Sequence, residues 1–598
     1  MTMMNTIKER LRDLREVMQT EHLGAFIFPH TDAHQSEYVA PYWQGLEWIS
    51  GFTGSAGTAV VTMRSAALWT DSRYFLAAEE QLRGTGFELM KLKMPGTPSI
   101  AEWIASQTDA GCEVGVDGSV VSDVMARQLT DELRRHGAMT LRVNFDPLGR
   151  IWHDRPALPA GPVMVHPAEY AGEEAASKIS RIRQALRLHH CDGILLSALD
   201  DIAWTLNLRG HDVHCNPVFV SYLVIEPQTA TLFVHPGKLT DEVRAYLKTI
   251  GIGTKPYDAV AEYLQRGYFN YNILLDPDET SSRLAAVFPT EHVRAVRAKS
   301  PVPAMKAVKN ETEIAGFRRA MVRDGVAMVK FLRWLKPAVE AGGQTECSLA
   351  EKLRRLRAEQ PLFRDISFDT IVGYEAHGAI VHYEPTADTD VPVEGHGLVL
   401  IDSGGQSLDG TTDITRTISL GPVSDLQRRV YTLVLKGNIR LALAKFPDGA
   451  SGTQIDAFAR EALWREGMNY MHGTGHGVGS YLNVHEGPHQ IRQEYVAAPL
   501  HAGMTVTDEP GIYLADRFGV RIENTMLIRD DRETEFGRFL CMEPLTLCPI
   551  DTAPIIRSML SQEEVDWLNA YHRHVREQLS PLLSPEEAAW LDEATQEI

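Results

Sequence analysis

Apolar and polar positions divide the chain into three stretches, each with its own rhythm. Met1 to Gln19 sets Lys8, Glu9, Arg10, Arg12, Asp13, Arg15 and Glu16 at helical spacing, which predicts an amphipathic helix. Gly24-Ala25-Phe26-Ile27-Phe28-Pro29 is a short apolar run between breakers, the pattern of a buried strand. The glycine-rich segment Ser50 to Thr58 precedes two more strand-like runs, Ala59-Val60-Val61 and Ala66-Ala67-Leu68-Trp69. Lacking both P-loop and GxGxxG spacing, it reads as tight turns rather than a phosphate cradle.

The theme recurs downstream. Asp192-Gly193-Ile194-Leu195-Leu196 parallels the Gly24 run, and Phe219 to Ile225 with Ala230 to Val234 predicts a hairpin around Pro227-Gln228. The first two stretches therefore read as copies of one α/β unit. The third begins with Asn310 and Glu313 at capping-box spacing, and Ile314, Phe317, Met321, Met328, Phe331, Leu332 and Leu335 continue one face of a long helix. Ser561 with Glu564, and Ser584-Pro585 with Glu587, mark two later helix starts. Trp567, Leu568, Tyr571 and Val575 make an apolar stripe suited to domain packing or a subunit contact. Proline-rich joints at Arg155 to Pro162 and Ser300 to Ala304 place domains at 1–155, 156–304 and 305–598.

Size and charge narrow the function classes. A chain of 598 residues exceeds what one hydrophobic core supports, and 44% hydrophobic with 23% charged residues is an ordinary globular composition. The formal net charge of -20, with no local Lys/Arg block, argues against nucleic acid as a partner. No stretch of 18 apolar residues suggests a membrane span, and no secretory leader pattern opens the chain. The six cysteines lack CxxC spacing and read as reduced thiols of a cytoplasmic protein.

Candidate chemistry gathers in the third stretch. Val399-Leu400-Ile401 leads into Asp402, and Asp413 is expected within a second, Thr/Ile-alternating strand beyond a glycine-containing turn. Pairing of the two strands would turn both carboxylates to one cleft; the plain alternative is a pair of turn-capping aspartates. His472-Gly473-Thr474-Gly475-His476-Gly477 places glycine beside each histidine, with His485-Glu486-Gly487-Pro488 soon after. Such histidines are metal ligands or hydrogen-bond donors, or else a pH-sensitive turn without a ligand. Asp508-Glu509-Pro510-Gly511 has the form of a solvated turn, whereas Glu523 sits in a strand-like pattern with Arg521, where an unpaired carboxylate is penalised. Asp402, Asp413, Glu509 and Glu523 with His476 carry too much like charge for a protein-only cluster, and two divalent ions would neutralise it. The oxygen-rich set favours Mn, with Zn or Co as alternatives, and two such ions provide an activated water and a clamp for a tetrahedral oxyanion.

The strings around these five residues resemble the metallopeptidases of the pita-bread fold, which include methionine aminopeptidases, prolidases and aminopeptidase P. The similarity is greatest to the long, three-domain cytosolic aminopeptidase P type. It extends to Ile49 to Thr58, Leu68-Trp69-Thr70-Asp71 with Arg73-Tyr74, Ile202-Ala203-Trp204 with Asn207-Leu208-Arg209-Gly210, and Trp567-Leu568-Asn569 with Tyr571-His572. The resemblance implies a C-terminal pita-bread metallopeptidase domain, a curved antiparallel sheet backed by helices, behind two smaller α/β domains. It implies hydrolysis of the N-terminal Xaa-Pro bond of peptides with proline second, and a homodimer. By motif, Asp402 would ligate one metal, His476 and Glu509 the other, and Asp413 and Glu523 both. Glu509 would also carry a proton to the leaving nitrogen, and His382, His485 and His472 would line the substrate cavity. Glu384, where a small residue is usual, and the approach Tyr374-Glu375-Ala376-His377 depart from the pattern and bear on fine substrate preference. The alternatives are a prolidase confined to Xaa-Pro dipeptides and a non-catalytic peptide binder on the same fold. A disarmed binder should have lost a ligand, and all five are present.

Overall fold

The computed structural model describes residues 3–265, 271–289 and 293–598. The chain folds as two compact units, residues 1–166 with 173–302, and residues 167–172 with 303–598.

The first unit holds two sheets. The first is built from β1 (Leu23–Pro29), β2 (Thr58–Thr62), β3 (Ala66–Thr70), β4 (Phe87–Lys91), β5 (Glu113–Val116) and β6 (Thr140–Arg142), in the order β4-β3-β2-β1-β5-β6. The second contains β7 (Gly193–Leu196), β8 (Ser221–Ile225), β9 (Ala230–Val234), β10 (Ile252–Lys255), β11 (Tyr271–Leu275) and β12 (Val293–Arg297), in the order β10-β9-β8-β7-β11-β12. Order and sense agree strand for strand: each has a central antiparallel meander flanked by parallel pairs. The repeated unit expected from the sequence is thus present. β1 is apolar without interruption because both its faces are covered. Phe26 and Phe28 pack in one core, and Ala25 and Ile27 in the other.

The second unit is antiparallel sheet backed by long helices. Its helices are labelled α1 (Glu311–Glu340), α2 (Glu346–Ala358), α3 (Asp425–Ala442), α4 (Gly452–Trp464) and α5 (Gln562–Leu579). Asn310 caps α1 by accepting from the N–H groups of Thr312 and Glu313, and Glu313 returns a bond to the Asn310 N–H. Ala327, Met328, Phe331 and Leu335 of α1 pack on Val399, Ile401, Ile414 and Ile418, which lie on β14 (Leu398–Ser403) and β15 (Ile414–Ser419). With β13 (Ile371–Tyr374) these form one antiparallel sheet. A second antiparallel sheet joins β16 (Lys445–Pro447), β19 (Thr505–Asp508), β22 (Asn524–Thr534) and β23 (Gly537–Pro544), and Ile455 and Ala459 of α4 share its core with Val506, Met526 and Leu540. Between them run β17 (Gly475–Gly477) paired with β18 (Glu486–Ile491), and β20 (Gly511–Leu514) paired with β21 (Phe518–Arg521). The stripe of Leu568, Tyr571 and Val575 on α5 is buried inside this unit, so it serves packing. No helix among the described residues is long and apolar enough to cross a membrane.

Candidate metal centre

Strand register brings the first carboxylate into place. β14 and β15 pair so that Asp402 stands opposite Thr415. Asp413 is not within β15 as its Thr/Ile pattern suggested; it lies two residues after β-structure ends at Thr411 and immediately before Ile414. Glu523 likewise falls in the break between β21 and β22, not within a strand. Both corrections have one cause. A residue in a regular ladder must face one side or the other of a sheet, whereas a break lets the side chain turn into the space between sheets.

Glu509 follows β19, and its N–H donates to the Thr474 carbonyl at 2.8 Å, which ties it to the histidine segment. The expected solvated turn is not observed: Asp508 is fully buried and Glu509 half-buried. Gly475 explains how closely the segments approach, because a Cβ there would lie 1.9 Å from the Thr507 carbonyl oxygen.

The side chains converge. His476 Nε2 lies 3.4 Å from Asp413 Oδ2 and 3.6 Å from Glu509 Oε1. One donor atom each from Asp413, His476 and Glu523 falls within a 4.8 Å span. His476 Nδ1 donates to the Gly477 carbonyl at 2.9 Å, which fixes the ring so that Nε2 is the nitrogen turned toward the carboxylates. Thr415 Oγ1 donates to Glu523 Oε2 at 2.7 Å. Arg521 donates to Asp402 Oδ2 from Nη2 at 2.6 Å and from Nε at 3.2 Å.

The electrostatics of the cluster suit a cationic ligand. Burial raises the Asp402 carboxyl against the pull of Arg521, with Asp413 adding to the rise. Burial also raises Glu509, and it raises Glu523 strongly, with Asp413 and Asp402 reinforcing the latter. For His476 desolvation lowers the imidazole pKa, but the hydrogen bond to Asp413 and the charge of Glu509 outweigh it and bring it to about 9. Asp402 Oδ1 and Asp413 Oδ1 are buried acceptors with no hydrogen-bond donor. Buried carboxylate lone pairs of this kind are satisfied by cations, and four carboxylates with one imidazole suit two divalent ions.

The remaining histidines are placed differently. His485 packs edge to face on His476 with ring centroids 4.3 Å apart. His472 donates from Nδ1 to the Gly473 carbonyl at 2.7 Å and accepts at Nε2 from the Tyr513 hydroxyl at 2.8 Å. That hydroxyl accepts from Arg521 Nη1 at 2.8 Å, so a chain runs from His472 through Tyr513 and Arg521 to Asp402. His382 is half-buried between Val381 and Tyr383, on a separate segment. Glu346 anchors that segment by accepting from the Tyr383 hydroxyl at 2.8 Å and contacting His377 Nδ1 at 2.9 Å. The turn before it packs on β21, where a Cβ at Gly519 would meet the Gly378 carbonyl oxygen. Sequence reasoning noted Arg521 only as the neighbour of Glu523 and missed Tyr513, Thr415 and Glu346, whose roles depend on contacts distant in the chain.

Comparison with known proteins covers the whole length. Models of the creatinase/prolidase N-terminal domain match residues 10–144 and 154–313, metallopeptidase family M24 matches 315–530, and the C-terminal region of peptidase M24 matches 538–598. A probable Xaa-Pro aminopeptidase P of Aspergillus niger is 41% identical over 99% of this chain and 98% of its own length. One from Aspergillus flavus is 41% identical over 99% and 92%. The crystal structure of X-prolyl aminopeptidase from Caenorhabditis elegans, described as a cytosolic enzyme with a di-nuclear active site, superposes with a TM-score of 0.94 at 34% identity over 99% of this chain and 100% of that one. An Xaa-Pro dipeptidase from Bacillus anthracis covers 64% of this chain and 100% of its own at 24% identity and a TM-score of 0.52, a likeness of fold.

Proposed function

The chain belongs to the Xaa-Pro aminopeptidase P group of metallopeptidase family M24, and from that premise we propose that it releases the first residue of peptides whose second residue is proline. The observation that carries this reading is the convergence of Asp413, His476, Glu509 and Glu523, with the buried Asp402 carboxyl feeling the charge of Asp413, in a chain similar to such enzymes from end to end.

Two divalent ions fit these residues: Asp402 for one, His476 and Glu509 for the other, Asp413 and Glu523 for both. When bound, they supply Lewis acidity and an activated water. Mn suits the oxygen-rich donors better than Zn or Co. Hydrolysis adds the water oxygen to the scissile carbonyl carbon, breaks the C–N bond and returns a proton to the prolyl nitrogen. Glu509 is the carrier of that proton. His485, beside His476, and His382 hydrogen-bond the substrate, and His472 is oriented for the same cavity by Tyr513. Arg521 holds Asp402 by one oxygen and leaves Oδ1 for a ligand. Proline is preferred because its tertiary amide has no N–H to satisfy and its ring has a fixed shape to pack against.

The prolidase reading makes a different prediction. Assayed side by side, Xaa-Pro-Xaa peptides should lose their first residue efficiently and Xaa-Pro dipeptides poorly; cleavage confined to the dipeptide would reverse the assignment. A cytoplasmic setting agrees with six cysteines that form no disulfide among the described residues and with the cytosolic relative. For the expected homodimer, exposed Phe458 and Trp464 on α4 supply apolar surface, and light scattering at micromolar concentration should give twice the chain mass.

A further inference from the structure

Asp413 and Glu523, the two carboxylates assigned to both ions, share a weakness: neither lies in a strand, and beyond the Glu523 N–H, which donates to the Thr415 carbonyl at 3.0 Å, no regular ladder fixes their main chain. Something else must hold them, because misplacement by an ångström is enough to spoil a metal site. The holding groups converge on Tyr571 of α5, a residue more than forty positions beyond the last ligand.

Arg416 on β15 is fully buried and spends every N–H on a named acceptor. Nη1 donates to the carbonyls of Glu523 at 2.6 Å and Thr415 at 3.0 Å. The two N–H groups of Nη2 are shared among Asn524 Oδ1, the Cys548 carbonyl and the Tyr571 hydroxyl, each at 2.9 Å, and Nε donates to the Pro549 carbonyl at 3.0 Å. One guanidinium therefore joins the backbone of Glu523 to the segment after β23 and to α5. The Tyr571 hydroxyl, in turn, has the Thr546 carbonyl at 2.9 Å and the Cys548 carbonyl at 3.0 Å as acceptors for its hydrogen. Thr546 Oγ1 accepts the Thr525 N–H at 2.8 Å, and Thr525 Oγ1 donates to the Asp413 carbonyl at 3.0 Å.

We infer that Tyr571 is a positioning residue for the metal centre: through Arg416 its hydroxyl supports Glu523, and through Thr546 and Thr525 it supports Asp413. The C-terminal helix is then part of the active site's framework. Trp567, stacked on Tyr571 with ring planes 5° apart and centroids 5.3 Å apart, fixes the ring that carries the hydroxyl. This inference rests on the metal assignment proposed above.

The test compares Tyr571→Phe, which removes one oxygen and keeps the ring, with Leu579→Ala, which loosens the same helix at a fully buried site away from the network. The full-length metal-free proteins are titrated with Mn or Zn against a chromophoric chelator, and their unfolding temperatures are recorded. The expected result is that Tyr571→Phe weakens metal binding by about tenfold or more, while Leu579→Ala lowers the unfolding temperature and leaves metal affinity within about twofold. Unchanged affinity in Tyr571→Phe, an equal loss in Leu579→Ala, or failure of Tyr571→Phe to fold would each overturn the positioning role. A wild-type protein that binds no pair of ions would instead overturn the proposed function itself.

Discussion

At the scale of single residues, the site depends on small groups that set the direction of charged ones. Gly475 lets His476 and the strand before Glu509 approach to backbone contact, and Thr507 donates to Glu509 Oε1 at 3.2 Å from that same strand. Gly475→Ala must push the Thr507 carbonyl aside, and a displacement near 1 Å should lower kcat/KM about a hundredfold. Gly473→Ala, whose Cβ would find nothing closer than 3.5 Å, should leave it largely unchanged, and steady-state kinetics on one peptide compares the two. Lys309 and Glu486 form a buried ion pair beside His485. Lys309→Met strands the carboxylate and should cost about 3–5 kcal/mol in urea unfolding, whereas Lys309→Met with Glu486→Leu should recover part of it. The five candidate ligand positions were legible in the sequence as candidates because carboxylates and histidines set among glycines and apolar runs are costly without a purpose. Arg521, Tyr513 and Arg416 were not legible as supports, since their partners are remote in the chain and nothing local marks them.

At the scale of elements, local chemistry and long-range geometry separate cleanly. The capping boxes at Asn310, Ser561 and Ser584 place helix starts where the sequence put them, because a cap is settled within four residues. Asn310→Ala removes acceptors for two N–H groups and should cost about 1 kcal/mol, read from the shift in denaturation midpoint. The repeated α/β unit was legible from two matching apolar runs, although strand order in either copy was not, since pairing depends on partners far away in the chain. Strand ends were the least legible. Asp413 and Glu523 both lie in breaks that their alternating neighbours disguise as continuous strand, and the breaks are what free these carboxylates to meet.

At the scale of the whole molecule, charge and burial set how the protein responds to conditions. His572 on α5 is buried and accepts the Ile550 N–H at Nε2, and burial, then Arg416 and Arg576, lower its pKa to about 4. The unfolded chain regains an ordinary value near 6.5. Between those values the unfolded state binds the proton and the folded state does not, so this residue's contribution falls as pH falls from about 6.5 to about 4. His572→Gln can keep the acceptor without the titration. Moving from pH 8 to pH 5 should therefore cost the wild type about 2 kcal/mol more than the variant in urea unfolding. The reading of the molecule as a dinuclear Xaa-Pro aminopeptidase stands most directly on one experiment: cleavage of an Xaa-Pro-Xaa peptide followed while a chelator strips the ions and Mn is then returned. The account predicts that release of the first residue stops as the second equivalent of metal is lost and resumes when two are restored. Unchanged release from the metal-free protein would contradict it.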